Sequence, residues 1–269
     1  MNLLIIGKNS VLCRLFLENT KIKNYKVYSR RELKNVSFAN YTHILNFSFN
    51  PKLKFNKYNE KLDLDLKLVK KIKKLAAIYI FFSSRLVYSN DCTNKHKEQI
   101  KKLRPMSVYG KNKLTVENKI RKVVPKKHLI LRLSTLLYCN LNFKRNLFSY
   151  QMLNSLKKNN EICFDFSDDT YKDFITPQYF SKCLDKLIMN NICGTYNICS
   201  GLKIYVKDIT KKIIYGFKSG KVIFKEIKKK QSFLMSNNKL FNKIKVSLNT
   251  NDIYNYCIVM GKSIKWIKF

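Results

Sequence analysis

Leu3-Leu4-Ile5-Ile6-Gly7-Lys8-Asn9-Ser10-Val11-Leu12-Cys13 is the stretch whose reading decides the fold. Four apolar residues in a row, bounded by a glycine, have the composition of a strand covered on both faces. A helix candidate at 11 to 19 follows directly. At a strand-to-helix turn of this kind, glycines permit a tight bend, a close backbone approach to a pyrophosphate and close helix packing. Of such glycines only Gly7 is present, but Ser10 and Cys13 are small. The spacing G-x-x-S-x-x-C therefore reads as a degenerate G-x-x-G-x-x-G, with the helix N–H groups still available to phosphate.

Working outward, short apolar runs alternate with longer helical stretches. Strand candidates are Leu3 to Ile6, Lys26 to Ser29, His43 to Phe47, Ile78 to Ser83 and His128 to Leu133, each expected to be covered on both faces. Helix candidates lie at 60 to 74, 107 to 123 and 146 to 158; Leu62, Leu66, Val69, Ile72 and Leu75 form one apolar stripe. Repeated βαβ units imply an α/β protein with a Rossmann-type doubly wound parallel sheet. Beyond about residue 160 the pattern loosens, with a helix near 178 to 190 and a strand at Thr195 to Cys199. The expected division is a nucleotide-binding domain over 1–160 and a smaller substrate lobe over 161–269, with segments near 170–200 returning to the first core.

Composition bounds the remaining classes. In 269 residues, 45% are apolar and 13% aromatic, enough to bury a sizeable core, and 7 Gly and 4 Pro exclude collagen-like and linker-like chains. The longest apolar run, Leu75 to Phe82, falls far short of the ~20 residues of a membrane helix. Because the opening apolar run is short and has no basic leader, it reads as a strand and not as a secretory signal, and the expected compartment is the cytoplasm. Eight cysteines (Cys13, Cys92, Cys139, Cys163, Cys183, Cys193, Cys199, Cys257) form no CxxC pair and no set with His43, His96 or His128, so neither disulfides nor a metal is expected. Lys and Arg outnumber Asp and Glu 54 to 17, a formal charge of +37. Such a surplus favours polyanions. Here, however, the basic pairs and runs (Lys70-Lys71, Lys101-Lys102, Lys211-Lys212, Lys228 to Lys230) recur along the whole chain. That distribution reads as A/T-rich coding drift on exposed positions, and nucleic acid is not the expected partner.

Chemistry concentrates in the middle: Phe81-Phe82-Ser83-Ser84-Arg85-Leu86-Val87-Tyr88, then Arg104-Pro105-Met106-Ser107-Val108-Tyr109-Gly110-Lys111-Asn112-Lys113, then Glu117. Tyr109 and Lys113 are four residues apart and share a helix face, where an ammonium beside a phenol favours the phenolate. Such a tyrosine can exchange a proton with a sugar hydroxyl or carbonyl, while Ser84, at a strand end, hydrogen-bonds the same oxygen. Upstream, the strand Lys26 to Ser29 ends in Ser29-Arg30-Arg31. An acidic residue there would accept from a ribose 2′-hydroxyl, whereas arginines suit a 2′-phosphate, so NADP is the expected cofactor, with NAD as the alternative.

With these residues in view, the chain resembles the extended short-chain dehydrogenase/reductases. The likeness is to the NAD-dependent epimerase/dehydratase group and its dTDP-4-dehydrorhamnose reductase branch. Asn46-Phe47-Ser48 sits where that family has Asn-x-Ala, with Phe47 in place of a small residue. Leu131-Arg132-Leu133-Ser134 resembles its Leu-Arg-x-Ser strand, Lys172-Asp173-Phe174-Ile175 its Arg-Asp-Phe-Ile segment, and Gly194-Thr195-Tyr196-Asn197-Ile198 its Gly-x-Tyr-Asn-Ile strand. The resemblance covers residues 1 to about 215, and the tail loosely through Asn238-Lys239-Leu240.

It implies a catalytic triad of Ser84, Tyr109 and Lys113, with Lys113 also on the nicotinamide ribose. Gly7, Ser10 and Cys13 would line the pyrophosphate, Arg30 or Arg31 would meet the adenosine ribose phosphate, and Asn46 would belong to the cofactor segment. Ser84, Arg132 and Ser134 would face substrate. The implied substrate is a nucleotide-activated sugar, reduced at a 4-keto group or epimerised through one, in cell-surface polysaccharide synthesis. A homodimer through the helix of Tyr109 and Lys113 is the implied assembly. Plainer readings accompany these: Arg132 contacting only strand ends, Asp173 structural instead of paired with Asp168 and Asp169, and Trp266 in lobe packing. From a different class, the same fold with reduced catalysis would serve as an RNA- or polyanion-binding protein, or as an NADP sensor.

Overall fold

A computed structural model describes residues 1–89, 95–100, 103–139, 148–225 and 231–265. Cys92, Lys101, Lys102, Lys228 to Lys230 and Trp266 lie outside the described residues. The first half alternates strand and helix: β1 (Leu3–Ile6), α1 (Val11–Asn19), β2 (Tyr25–Tyr28), β3 (His43–Asn46), α2 (Lys52–Phe55), α3 (Leu64–Ile72), β4 (Ile78–Ser84), α4 (Val108–Val123) and β5 (His128–Leu133). There follow β6 (Thr135–Leu136), α5 (Phe148–Asn159), β7 (Glu161–Phe164), β8 (Tyr171–Lys172), β9 (Phe174–Ile175), α6 (Pro177–Met189) and β10 (Gly194–Ile198). The chain closes with β11 (Ile204–Tyr205), α7 (Val206–Phe217), β12 (Lys221–Phe224), α8 (Asn238–Ile244) and α9 (Thr250–Lys265).

Six strands form one parallel sheet in the order β10-β5-β4-β3-β1-β2. The order reverses at β1, so helices cover both faces, and the α/β doubly wound architecture expected from the sequence is the one observed. Side chains alternate as a pleated strand requires. Leu3, Ile5, Leu45, Ile80, Phe82, Leu129 and Leu131 enter one core. Leu4, Ile6, Ile44, Tyr79, Phe81 and Ile130 enter the other, against Leu66, Val69 and Ile72 of the α3 stripe. One strand departs from expectation. β2 is an edge strand, only half-buried, because it pairs with β1 on one side alone. Its Lys26 is exposed where a covered strand would carry an apolar residue.

Asp63 caps α3, its carboxylate accepting from the Leu66 N–H at 3.0 Å, so the helix expected from residue 60 begins only at Leu64. From the second half, β10 returns to pair with β5, and α6 packs on α1. Asp185 of α6 ties that pair, accepting from Thr20 Oγ1 at 2.5 Å and the Lys21 N–H at 2.8 Å. Three two-stranded pairings (β7 with β12, β8 with β11, β6 with β9) and the packed helices α7 and α9 make up the rest. Among the described residues no helix is long and apolar enough to cross a membrane.

Candidate functional site

In a parallel sheet the carboxyl ends of all strands share one rim, and ligands gather where the order reverses. Gly7 leaves β1 at that rim with φ +102°, and a Cβ there would come within 2.8 Å of the Ser48 nitrogen. Only glycine permits this approach of the first turn to the residues after β3. Ser10 precedes α1 without a side-chain cap bond. The first N–H groups of the helix have no intrahelical acceptor and carry the positive end of its dipole. Phosphate is the chemistry they suit.

At the end of β2, Arg30 and Arg31 are exposed. Beside them Glu32 folds back, its carboxylate accepting from the Ser29 N–H and from Lys8 Nζ at 3.1 Å. The backbone bond from Ser29, aided by Lys8, holds this carboxyl down to about 2. Sequence reading missed Glu32; an acid three residues past a strand end is a signal only once the turn that brings it back is known.

Ser84 is the last residue of β4. Its hydroxyl accepts from the Leu86 N–H at 3.2 Å, which leaves the hydroxyl proton to donate. Ser107 caps α4, accepting from the Gly110 N–H at 3.0 Å. The first turn of α4 then rests on the backbone of Leu86, so close that a Cβ on Gly110 would lie 2.0 Å from the Leu86 carbonyl oxygen. That contact sets the Tyr109 turn against the segment immediately after Ser84. Asn112 secures the helix from the other side, donating to the Leu53 and Asn56 carbonyls at 2.7 and 2.8 Å.

Tyr109 is half-buried, Lys113 buried, and Glu117 fully enclosed, so one helix face descends from the rim into the core at four-residue steps. Lys113 Nζ donates to the Phe82 carbonyl at 2.7 Å and lies 5.7 Å from the Tyr109 ring centre. It also lies near two phenyl rings, 4.5 Å from the centre of Phe81 and 4.6 Å from that of Phe49. Behind it, burial pushes the Asp65 carboxyl up to about 6 against the opposing pull of the Lys113 ammonium. The cavity lined by Phe49, Asp65, Phe81 and Lys113 holds about 10 Å³, room for one water at most.

Three residues expected to contact ligand are buried within the protein. Cys13 is fully buried on the helix face that packs on the sheet, and burial pushes its thiol up to about 12; it supports close helix packing and does not line the loop. Asn46 donates to Asp65 at 2.7 Å and accepts from the Ser48 N–H at 2.9 Å, fixing the turn after β3 instead of facing outward. Ser134 donates to the carbonyl and carboxylate of Asp173, at 2.6 and 2.9 Å. Asp173, itself fully buried, also accepts from the Ser200 and Gly201 N–H groups at 2.9 Å each, the structural role of the plainer reading.

Arg132 does more than contact strand ends. The residue is 2% exposed, and its guanidinium donates to Glu117, at 3.1 and 2.7 Å, and to Tyr88 Oη at 3.0 Å. Burial alone would raise the Glu117 carboxyl, but the bonds and charge of Arg132, together with Ser83 donating at 2.6 Å, hold it below the ordinary value. Tyr88 passes the network on to Asn197 at 2.7 Å. A lone Arg within Leu129-Ile130-Leu131-Arg132-Leu133 and a lone Glu on a helix's buried face are the signals that would have paired them, since an unpartnered buried charge is prohibitively costly.

A profile of the RmlD substrate binding domain matches residues 58–213, more than half of the chain. The chain belongs to this family. The matched segment of the family member spans Ser84, Tyr109, Lys113 and the buried Glu117–Arg132 pair. No curated protein sequence matches the chain. Among solved structures, a UDP-N-acetylglucosamine 4-epimerase from Methanobrevibacter ruminantium M1 is similar at TM-score 0.79 and 14% identity, over 98% of this chain and 97% of that one. A dTDP-4-dehydrorhamnose reductase from Clostridium acetobutylicum is similar at TM-score 0.74 and 20% identity, over 97% and 99%. RMD from Pseudomonas aeruginosa, solved with NADPH, is similar at TM-score 0.77 and 12% identity, over 98% and 99%. At these identities the likeness is one of fold, and it extends through nearly the whole of each chain.

Proposed function

We propose that the protein is a nicotinamide-dinucleotide-dependent enzyme that reduces or epimerises a nucleotide-activated sugar at a keto carbon. One observation carries this reading: Gly110 docks the Tyr109 turn onto Leu86, directly after the strand end that bears Ser84, while Lys113 reaches the same strand at Phe82. Family membership and the similar folds of a sugar-nucleotide epimerase and reductase support it.

The residues present fit a dinucleotide at its phosphates, where the first amides of α1, which lack intrahelical acceptors, follow the Gly7 turn. Arg30 and Arg31 suit a ribose phosphate, and the nearby acid, Glu32, is bound back by the Ser29 N–H and ion-paired with Lys8, so NADP is preferred. When bound, the nicotinamide supplies the two-electron chemistry. Tyr109 moves the proton at the sugar oxygen, Ser84 donates to that oxygen, and Lys113 holds the cofactor ribose. Synthesis of cell-surface polysaccharide is the pathway class in which such a product is used.

Fluorescence titration with NADPH and NADH tests the reading. Micromolar binding, tighter for NADPH and weakened by Arg30→Ala with Arg31→Ala, is expected, with turnover of a nucleotide-linked keto-sugar. Binding of neither, together with salt-sensitive retention of RNA, would instead establish the polyanion-binding alternative.

A further inference from the structure

The turn between β3 and α2 touches both halves of the site. Its Phe47–Ser48 backbone lies against Gly7, and two residues on Phe49 presents its ring to the other half. That ring stands edge-on to Tyr109, with centres 5.4 Å apart and planes at 86°, and its face is 4.6 Å from Lys113 Nζ. The phenyl groups that serve the core behave differently: Phe47 and Phe82 are each 6% exposed and stack on one another at 4.2 Å. Phe49 is only half-buried, and its ring meets the two polar residues of the proposed site, Tyr109 and Lys113. The base of the turn is pinned, because Asn46 accepts from the Ser48 N–H.

We infer that Phe49 is a cover over Lys113 and Tyr109 that a dinucleotide must displace, and that it sets the affinity for cofactor. This rests on the function proposed above. Lys113 is 5% exposed, with the rings of Phe81 and Phe49 within 4.6 Å of its Nζ and one N–H bonded to the Phe82 carbonyl, so on this reading a ribose hydroxyl reaches the ammonium only once Phe49 swings out. A site competent only in a fraction of molecules binds with its affinity reduced by that fraction. The stored contact is that of a cation on an aromatic face, enough to reduce apparent affinity by about tenfold.

Two measurements on Phe49→Ala, with Phe49→Leu as a milder truncation, test the inference. Acetylation of Lys113 by acetic anhydride, read by mass spectrometry without cofactor, should be several-fold faster in the variants. NADPH titration should give a dissociation constant about tenfold lower for Phe49→Ala. Unchanged acetylation overturns the cover. Faster acetylation with equal NADPH affinity overturns its role in binding and leaves the proposed function standing. Faster acetylation with NADPH and NADH bound by neither protein overturns the proposed function, and with it the cofactor role of Phe49.

Discussion

Gly110 stands on Leu86. A methyl group at the glycine would meet the leucine carbonyl oxygen at 2.0 Å, and its carbon at 2.8 Å, so the contact is backbone on backbone with nothing flexible to yield. Gly110→Ala must lift the first turn of α4 from the strand end that carries Ser84. The expected outcome is a loss of about 1–3 kcal/mol in stability by chemical denaturation. Turnover should fall by about 10²-fold through misplacement of Tyr109. A variant that kept wild-type turnover would show that this contact does not position the tyrosine.

Tyr109 and Ser84 act at one oxygen in the proposed reaction, through different chemistry. Tyr109→Phe removes the proton carrier and should abolish turnover with the melting temperature preserved, because the half-buried ring remains. Ser84→Ala removes one donor and should lower kcat by about 10- to 10³-fold. Steady-state kinetics beside thermal melts separate the two; equal, small losses would argue against the assignment.

Arg132 and Glu117 are a buried pair, at 2% and 0% side-chain exposure. Removing Glu117 leaves Arg132 charged and enclosed, whereas removing Arg132 leaves the Glu117 carboxylate still paired with the partly exposed Arg121 at 2.8 Å. Glu117→Gln is expected to cost about 3–5 kcal/mol in urea unfolding, Arg132→Met less, and the double replacement less than the sum. If Arg132→Met instead unfolded at the wild-type midpoint and raised only KM, the arginine would be a substrate contact after all.

His43 is buried in β3, and burial, with the nearby terminal ammonium, depresses its imidazole from 6.5 to about 4. Between those values the unfolded chain binds the extra proton, so the contribution of His43 to stability is full above pH 6.5 and is lost as the pH falls toward 4. Relative to His43→Gln, which does not titrate, wild-type stability should decline by up to about 3 kcal/mol from pH 7 to pH 4. Parallel pH profiles for the two proteins would place the titration elsewhere.

Local patterns were enough for the sheet. Leu3 to Ile6 and His128 to Leu133 coincide with strands β1 and β5, and residues 11 to 19 with α1, because runs of buried apolar residues and helical periodicity are written in neighbouring positions. The edge position of β2 was not legible, since exposure depends on which strands pair and not on the strand's own residues. Phe49 was invisible as well. An aromatic in a turn has no period, and its contacts with Tyr109 and Lys113 are made across some 60 residues of chain.

By itself the sequence determined the α/β architecture, the family likeness and the helical spacing of Tyr109 and Lys113, all of which follow from short-range order along the chain. Only the tertiary structure decided that Cys13, Asn46, Arg132 and Ser134 turn inward, that Glu32 folds back on Lys8, and that Phe49 covers the lysine. The physical reason is that a polar side chain's role is set by its partner, and the partners here (Asp65 for Asn46, Glu117 for Arg132, Asp173 for Ser134) are 19, 15 and 39 residues away.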